Sequence, residues 1–167
     1  MLDHTEVEIS KVLDNLVYSV QRGGGTSNRE WTKRVKQCLC DLGKQNGYRI
    51  AASHCAGADT VEWIYDMVWA SVQDDPWRFW EMPLAMQCEW STHSDDIVWP
   101  FEKLLIAKAN HKLMVFQQAV ESDVRDVMEQ LETMVRAFKT SFQGERYLLA
   151  GYAFDEGKFF YEAILGG

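Results

Sequence analysis

Apolar residues recur along the chain with two different periods, and the switches between them divide it into elements. Between residues 5 and 21, Ile9, Val12, Leu13, Leu16, Val17 and Val20 keep a helical interval, which Gly23-Gly24-Gly25 breaks. Ser27 and Glu30 then stand at capping-box spacing ahead of Trp31, Val35, Cys38, Leu39 and Leu42. A second helix therefore starts at Ser27 and is expected to end at Gly43 and Gly47. Three β-prone runs follow, at 48–53, 61–71 and 84–90, with Asp74-Asp75-Pro76 as a turn after the second. Residues 94–109 return to helical spacing, with Phe101, Leu104, Leu105 and Lys108 on one side. A proline fits only the first turn of a helix, so Pro100 places the start of regular helix near Trp99. Leu113-Met114-Val115-Phe116 suits a strand buried on both faces. From Ser122 to Phe138 the apolar positions fall at near-ideal helical intervals, with Asp123 and Asp126 suited to the positive end of the helix. Two strands, 146–154 and 158–165, close the chain around an Asp155-Glu156-Gly157 hairpin turn.

The order α, α-β-β-β-α-β, α, β-β predicts an α/β fold. No repeat, linker or low-complexity stretch interrupts residues 1–167, which are expected to form one domain. Its core would span 28–117, preceded by a helix at 5–21 and followed by a helix and hairpin at 122–165. With 47% hydrophobic residues and seven tryptophans, disorder is excluded. No apolar run approaches the ~20 residues of a membrane span. Met1 to Glu6 lacks the basic and apolar regions of a secretory signal, so a cytoplasmic protein with no membrane partner is expected. The net charge of −8 excludes a general nucleic-acid coat protein. It leaves room for a small local groove, and for an acidic cluster that serves a divalent cation.

Strand alternation identifies where such a cluster sits. Successive strand residues point to opposite faces, so Glu62, Ile64, Asp66 and Val68 share one face, as do Ala85, Gln87 and Glu89. If the two strands are neighbours, Asp66 approaches Gln87 and Glu89. A carboxylate within Ile64-Tyr65-Asp66-Met67-Val68-Trp69 is costly without a metal, a hydrogen-bonding partner or solvent. Other constellations are weaker. Cys38, Cys40, Cys55 and Cys88 have no C-x-x-C spacing and read as buried free thiols. His54, His93 and His111 follow no zinc pattern with them, and nothing local supports a Cys–His nucleophile pair. Phosphate-loop, dinucleotide-loop and nucleophile-elbow patterns are absent. Trp77-Arg78-Phe79-Trp80 is expected to pack over a sheet edge, with base stacking or partner binding as its other role. Asp74-Asp75 and Asp95-Asp96 read as turn and helix-start residues.

The run α-β-β-β-α-β over residues 28–117, with Asp66 in its second strand and Gln87-Cys88-Glu89 in its third, resembles the PD-(D/E)XK, or restriction-endonuclease-like, superfamily. The resemblance implies a central mixed β-sheet flanked by helices. It implies a metal-dependent phosphodiesterase or nuclease acting on nucleic acid. Asp66 matches the acid of the second strand, while the triplet departs from the family pattern: Gln87 replaces the acid and Glu89 replaces the lysine. Lys103 is similar to the lysine that some members carry on the following helix, and Glu30 to an additional acidic ligand on the first. The implied roles are Mg2+ binding by Asp66 and Glu89, with Gln87 and Glu30 as weaker or further ligands, and Lys103 as the catalytic cation. The alternative implied by the departures is an inactive relative that serves as a protein-interaction or regulatory module.

Overall fold

The structure is a computed structural model that describes residues 1–21 and 27–167. The expected break at Gly23-Gly24-Gly25 lies outside the described residues. Helix α1 spans His4–Gln21 and α2 spans Asn28–Gln45; strands β1 (Arg49–Ala52), β2 (Met67–Asp74) and β3 (Trp77–Glu89) follow. Then come α3 (Ser94–Leu105), β4 (His111–Gln118), α4 (Glu121–Ala137), β5 (Arg146–Ala153) and β6 (Lys158–Leu165). The strands form a six-stranded mixed open sheet in the order β1-β2-β3-β4-β5-β6. β1, β2 and β3 run antiparallel, β3-β4 and β4-β5 are parallel, and β5-β6 is an antiparallel hairpin. No helix among the described residues is long and apolar enough to cross a membrane.

Period-two alternation divides the core between the two faces of this sheet. Met67, Trp69, Leu84, Met86, Leu113 and Leu148 pack against α1 and α2. Val68, Ala85, Met114, Phe116 and Leu149 pack against α3 and α4. β4 is buried along nearly its whole length, as its continuous apolar run requires of a parallel strand covered on both sides. Among the described residues two charged side chains, Glu6 and Lys112, lie wholly inside. Lys112 is fully buried, with Nζ 2.9 Å from the Tyr147 hydroxyl and 2.9 Å from the Glu145 carboxylate. Burial pulls its pKa below the ordinary lysine value, and Glu145 offsets this in part.

Five expectations are corrected. Gly43 does not end α2 but sits inside it, where a Cβ would meet Ile50 Cδ1 and Trp69 Nε1 at 2.6 Å. The helix ends instead at Gly47, whose φ of +81° suits glycine. β2 begins at Met67 rather than at residue 61, because the Asp66 carboxylate takes the Cys88 N–H (2.8 Å) that a strand carbonyl would otherwise accept. β3 begins at Trp77 rather than at residue 84, so the aromatic segment is one arm of a hairpin with the end of β2. Within that arm Trp80 is 68% exposed and does not pack over the sheet. Finally, α3 starts at Ser94 and ends at Leu105, with Pro100 inside it and buried. The ring removes one backbone hydrogen bond, to the Asp96 carbonyl, and the helix continues because its apolar face, Ile97, Phe101 and Leu104, is fully buried.

Candidate functional site

At the end of β3 its partners change from antiparallel β2 on one side to parallel β4 on the other, and α3 crosses above. The gap left there is an open cleft of about 450 Å³. Asp66, Gln87, Glu89 and Lys103 all line it, together with Asp95 and Asp96 from the first turn of α3. Asp66, Gln87 and Glu89 are therefore brought to one cleft, which Cys88 also lines, although Asp66 lies just outside β2.

Each of these side chains is held by the backbone of the element beside it. Asp66 Oδ2 accepts the Cys88 N–H at 2.8 Å, which fixes the carboxylate at the third strand. Glu89 Oε1 accepts from both Trp90 N and Ser91 N at 2.8 Å and so caps the turn that leaves β3. These bonds leave one oxygen of each carboxylate outside the backbone network. Gln87 is almost fully buried and donates Nε2 to the Ile64 carbonyl at 3.3 Å, which leaves its own carbonyl oxygen outside that bond. Ser91 Oγ donates to Asp96 at 2.6 Å. Lys103 Nζ lies 4.6 Å from the centroid of the exposed Trp99 ring, a cation–π contact on the outer wall.

Glu30 is not part of this constellation. It sits on α2, against the other face of the sheet, and its carboxylate pairs with Arg34 at 3.2 Å. Its capping role is realised in one direction, with Glu30 N donating to Ser27 Oγ at 3.3 Å. Asp95 and Asp96 are first-turn residues as expected, but they also face the cleft, which the strand pattern does not reveal.

The cysteines offer no competing chemistry. All four are free. Burial pushes the Cys38 thiol up to about 12 and that of Cys55 up to about 11. Burial, reinforced by Asp66, holds Cys88 well above the ordinary thiol range. None is poised as a thiolate nucleophile at neutral pH.

A second polar cluster, not anticipated from the sequence, lies at the other end of the sheet. Asp3, Glu6 and His111 bring ligand atoms within 4.8 Å of one another. Asp3 and Glu6 form a reciprocal capping box for α1, with backbone-to-carboxylate bonds of 2.8 and 2.9 Å. Their spacing, Asp-x-x-Glu ahead of an apolar periodic run, was a readable signal. The third partner is Arg146, which forks onto Glu6 at 2.9 and 2.7 Å and reaches Asp3 at 3.0 Å. His111 Nε2 lies 2.8 Å from Asp3. A guanidinium already supplies the positive charge here, so this cluster is a clasp for α1 and not a cation site.

Whether the β3 cleft fits a divalent cation turns on its donors. Asp66, Glu89 and a third Asp, Glu, His or Cys do not gather within 4.8 Å among the described residues. The set is therefore two carboxylates and the Gln87 amide oxygen. Magnesium is commonly held by one or two carboxylates, with water and substrate phosphate as its other ligands, so the residues present fit it. Comparisons with family models, with curated proteins and with solved structures found no match.

Proposed function

We propose that the chain is a divergent restriction-endonuclease-like phosphodiesterase that acts on nucleic acid with a divalent cation at the β3 cleft. The observation that carries this reading is the convergence of Asp66, Gln87, Glu89 and Lys103 on one open cleft. The element order supports it too, because α2-β1-β2-β3-α3-β4 repeats the α-β-β-β-α-β run on which the resemblance rests.

Asp66 and Glu89 are oriented by backbone N–H groups rather than by flexible side chains, which holds their remaining oxygens in place. Magnesium bound there would acidify a coordinated water and stabilise charge on the phosphodiester. Lys103 reaches the cleft from α3 and supplies an ammonium that neutralises charge on the scissile phosphate. With Asp95 and Asp96 nearby the cleft is acidic, so a phosphate enters only when a cation compensates that charge.

One observation favours the second reading, an inactive fold used as an interaction module. Gln87 stands where the family has an acid, and its amide is already bonded to Ile64. The two readings separate in one experiment. Mixed single- and double-stranded DNA and RNA are incubated with Mg2+ or Mn2+, comparing wild type with Asp66→Ala. Cleavage that needs both the cation and Asp66 supports the phosphodiesterase. Cleavage that survives Asp66→Ala, or none with any substrate, refutes it.

A further inference from the structure

We propose that β6 is a self-complementary edge at which a second copy of this chain pairs antiparallel, joining the two six-stranded sheets across a twofold axis. β6 is the last strand of the sheet, with β5 on one side only. Gly166 N–H donates to the Glu145 carbonyl at 2.9 Å, and bonded pairs recur at every second residue of an antiparallel ladder. Lys158, Phe160, Glu162 and Ile164 therefore turn their backbone groups towards β5. Phe159, Tyr161, Ala163 and Leu165 turn theirs outward, and among the described residues no backbone hydrogen bond reaches those outward groups. The strand contains no proline and pairs with β5 without a bulge, so nothing in its own backbone blunts this edge.

The opposite edge is closed by the chain itself. Along β1, Ala52 N–H donates to the Thr60 carbonyl at 3.0 Å, and the Ile50 carbonyl accepts Asp59 N–H at 2.8 Å and Thr60 N–H at 3.3 Å. Ile50 N–H donates to the Asp59 carboxylate at 2.7 Å. With β1 covered in this way and β6 open, pairing between copies closes at two instead of growing into a fibre.

Side-chain order selects the occupant. From Lys158 to Glu162 the strand reads Lys-Phe-Phe-Tyr-Glu. Laid antiparallel on itself, it sets Lys158 opposite the second copy's Glu162, Phe159 opposite its Tyr161, and Phe160 opposite its Phe160. In this register Phe159 and Tyr161 form the bonded pairs, as their outward backbone groups require. Lys158 and Glu162 fall at non-bonded pairs, where facing side chains come closest. Either adjacent register compatible with the outward groups sets Lys158 opposite Ile164 or Phe160 and loses both charge pairs. Within one strand the two charges lie four residues apart, ~13 Å at ~3.3 Å per residue, too far to pair with each other. Lys158 is exposed, with Nζ 4.6 Å from the centroid of the Phe160 ring. Phe160 belongs to the α4 side of the sheet, and Phe159 and Tyr161 to the α1 side, so both faces of the joined sheet gain a matched contact.

Sedimentation velocity over a concentration series reads the association, and amide hydrogen exchange reads its place. Wild type is expected to pass from monomer to dimer as concentration rises, with the Phe159 and Tyr161 amides gaining protection in step, and to dissociate in part as salt rises. Lys158→Glu or Glu162→Lys alone sets like charges opposite each other at both ends of the pairing, and is expected to weaken the dimer by about tenfold or more. Both substitutions in one chain restore the opposite pairs. Mixing the two single variants restores them as well, and should give a heterodimer in preference to either homodimer. Thermal melts verify that each variant keeps the wild-type fold. A monomer at every concentration, or a dimer indifferent to the single substitutions, would overturn the edge pairing. So would a double variant and a mixture that both stay monomeric, or Phe159 and Tyr161 amides protected at every dilution because another segment covers β6.

Discussion

Gln87 is the position at which the cleft departs from a complete acidic site, so replacing it tests the reading directly. In Gln87→Glu the Nε2–H bond to the Ile64 carbonyl disappears, and two acceptors face each other across what is now 3.3 Å. Losing a neutral hydrogen bond costs about 0.5–1.5 kcal/mol, and an unsatisfied buried acceptor about 1–3 kcal/mol more. Because Gln87 is only 3% exposed, solvent relieves little of this, and the cation-free variant should be about 2–4 kcal/mol less stable than wild type. A divalent cation held between the new carboxylate, Asp66 and Glu89 offsets most of that loss. With free Mg2+ a hundredfold above its Kd, linkage returns about 2.7 kcal/mol. The assay is urea unfolding in EDTA and at increasing MgCl2 or MnCl2, read by tryptophan emission. Wild type should gain little, while Gln87→Glu should gain with the logarithm of cation concentration and cleave nucleic acid faster. A variant whose midpoint is as indifferent to Mg2+ and Mn2+ as that of wild type would refute the placement of a cation at this cleft.

Three further outcomes follow from other parts of the molecule. Arg146→Met leaves the fully buried Glu6 without its cation and should destabilise by about 3–5 kcal/mol in denaturant unfolding. It should also flatten the acid limb. Burial raises the Asp3 carboxyl, but the Glu6 N–H, His111 and Arg146 outweigh that and hold it below its ordinary 3.8, so its stabilisation is present above 3.8 and lost as pH falls through the folded value. For Lys112 the sign is opposite. Burial makes its folded pKa lower than the unfolded 10.5, the unfolded chain holds the proton more tightly, and stability rises with pH towards 10.5. Glu145→Gln removes the partial offset and should extend that rise to lower pH, as measured by thermal melts across the alkaline range. Gly151→Ala would drive a Cβ into Val124 Cγ1 and to 2.9 Å from Phe116 Cζ, and should cost about 1–3 kcal/mol by overpacking α4 on the sheet.

The parts of the fold that were legible are those whose cause is local. Val124, Val127, Met128, Leu131 and Val135 repeat at helical intervals and are buried in α4, as their spacing alone requires. Ser27 caps α2 from one residue outside it, and the Asp155-Glu156-Gly157 turn joins β5 to β6. What failed was local propensity set against a distant partner. Val61 and Ile64 are β-prone yet exposed outside any strand, because the chain at Thr60 pairs with Ala51 and turns away before Asp66. Pro100 marks a helix start by propensity, but burial of the α3 face overrides it. In the site, strand alternation pointed to Asp66, Gln87 and Glu89, and the structure brings them to one cleft, although Asp66 sits in the bend before β2. It carries no information on α3, so the contribution of Asp95 and Asp96 was invisible. The Trp63–Phe79 ring contact was hidden for the same reason, as one ring lies in a loop and the other in a strand that starts earlier than its pattern suggests.

The order of the sheet bears on how the molecule is made. Every strand pairs only with its neighbours in the chain, so each new strand leaving the ribosome finds an edge already waiting, and little of the sheet depends on residues not yet synthesised. The clasp on α1 is the exception. Asp3 and Glu6 emerge before the sheet, yet Glu6 meets its guanidinium 140 residues later, when β5 arrives. Helix α1 is thus translated before the sheet and secured late, and while the strands are being made its apolar stripe, Ile9, Leu13 and Val17, has not yet been clasped onto the finished sheet.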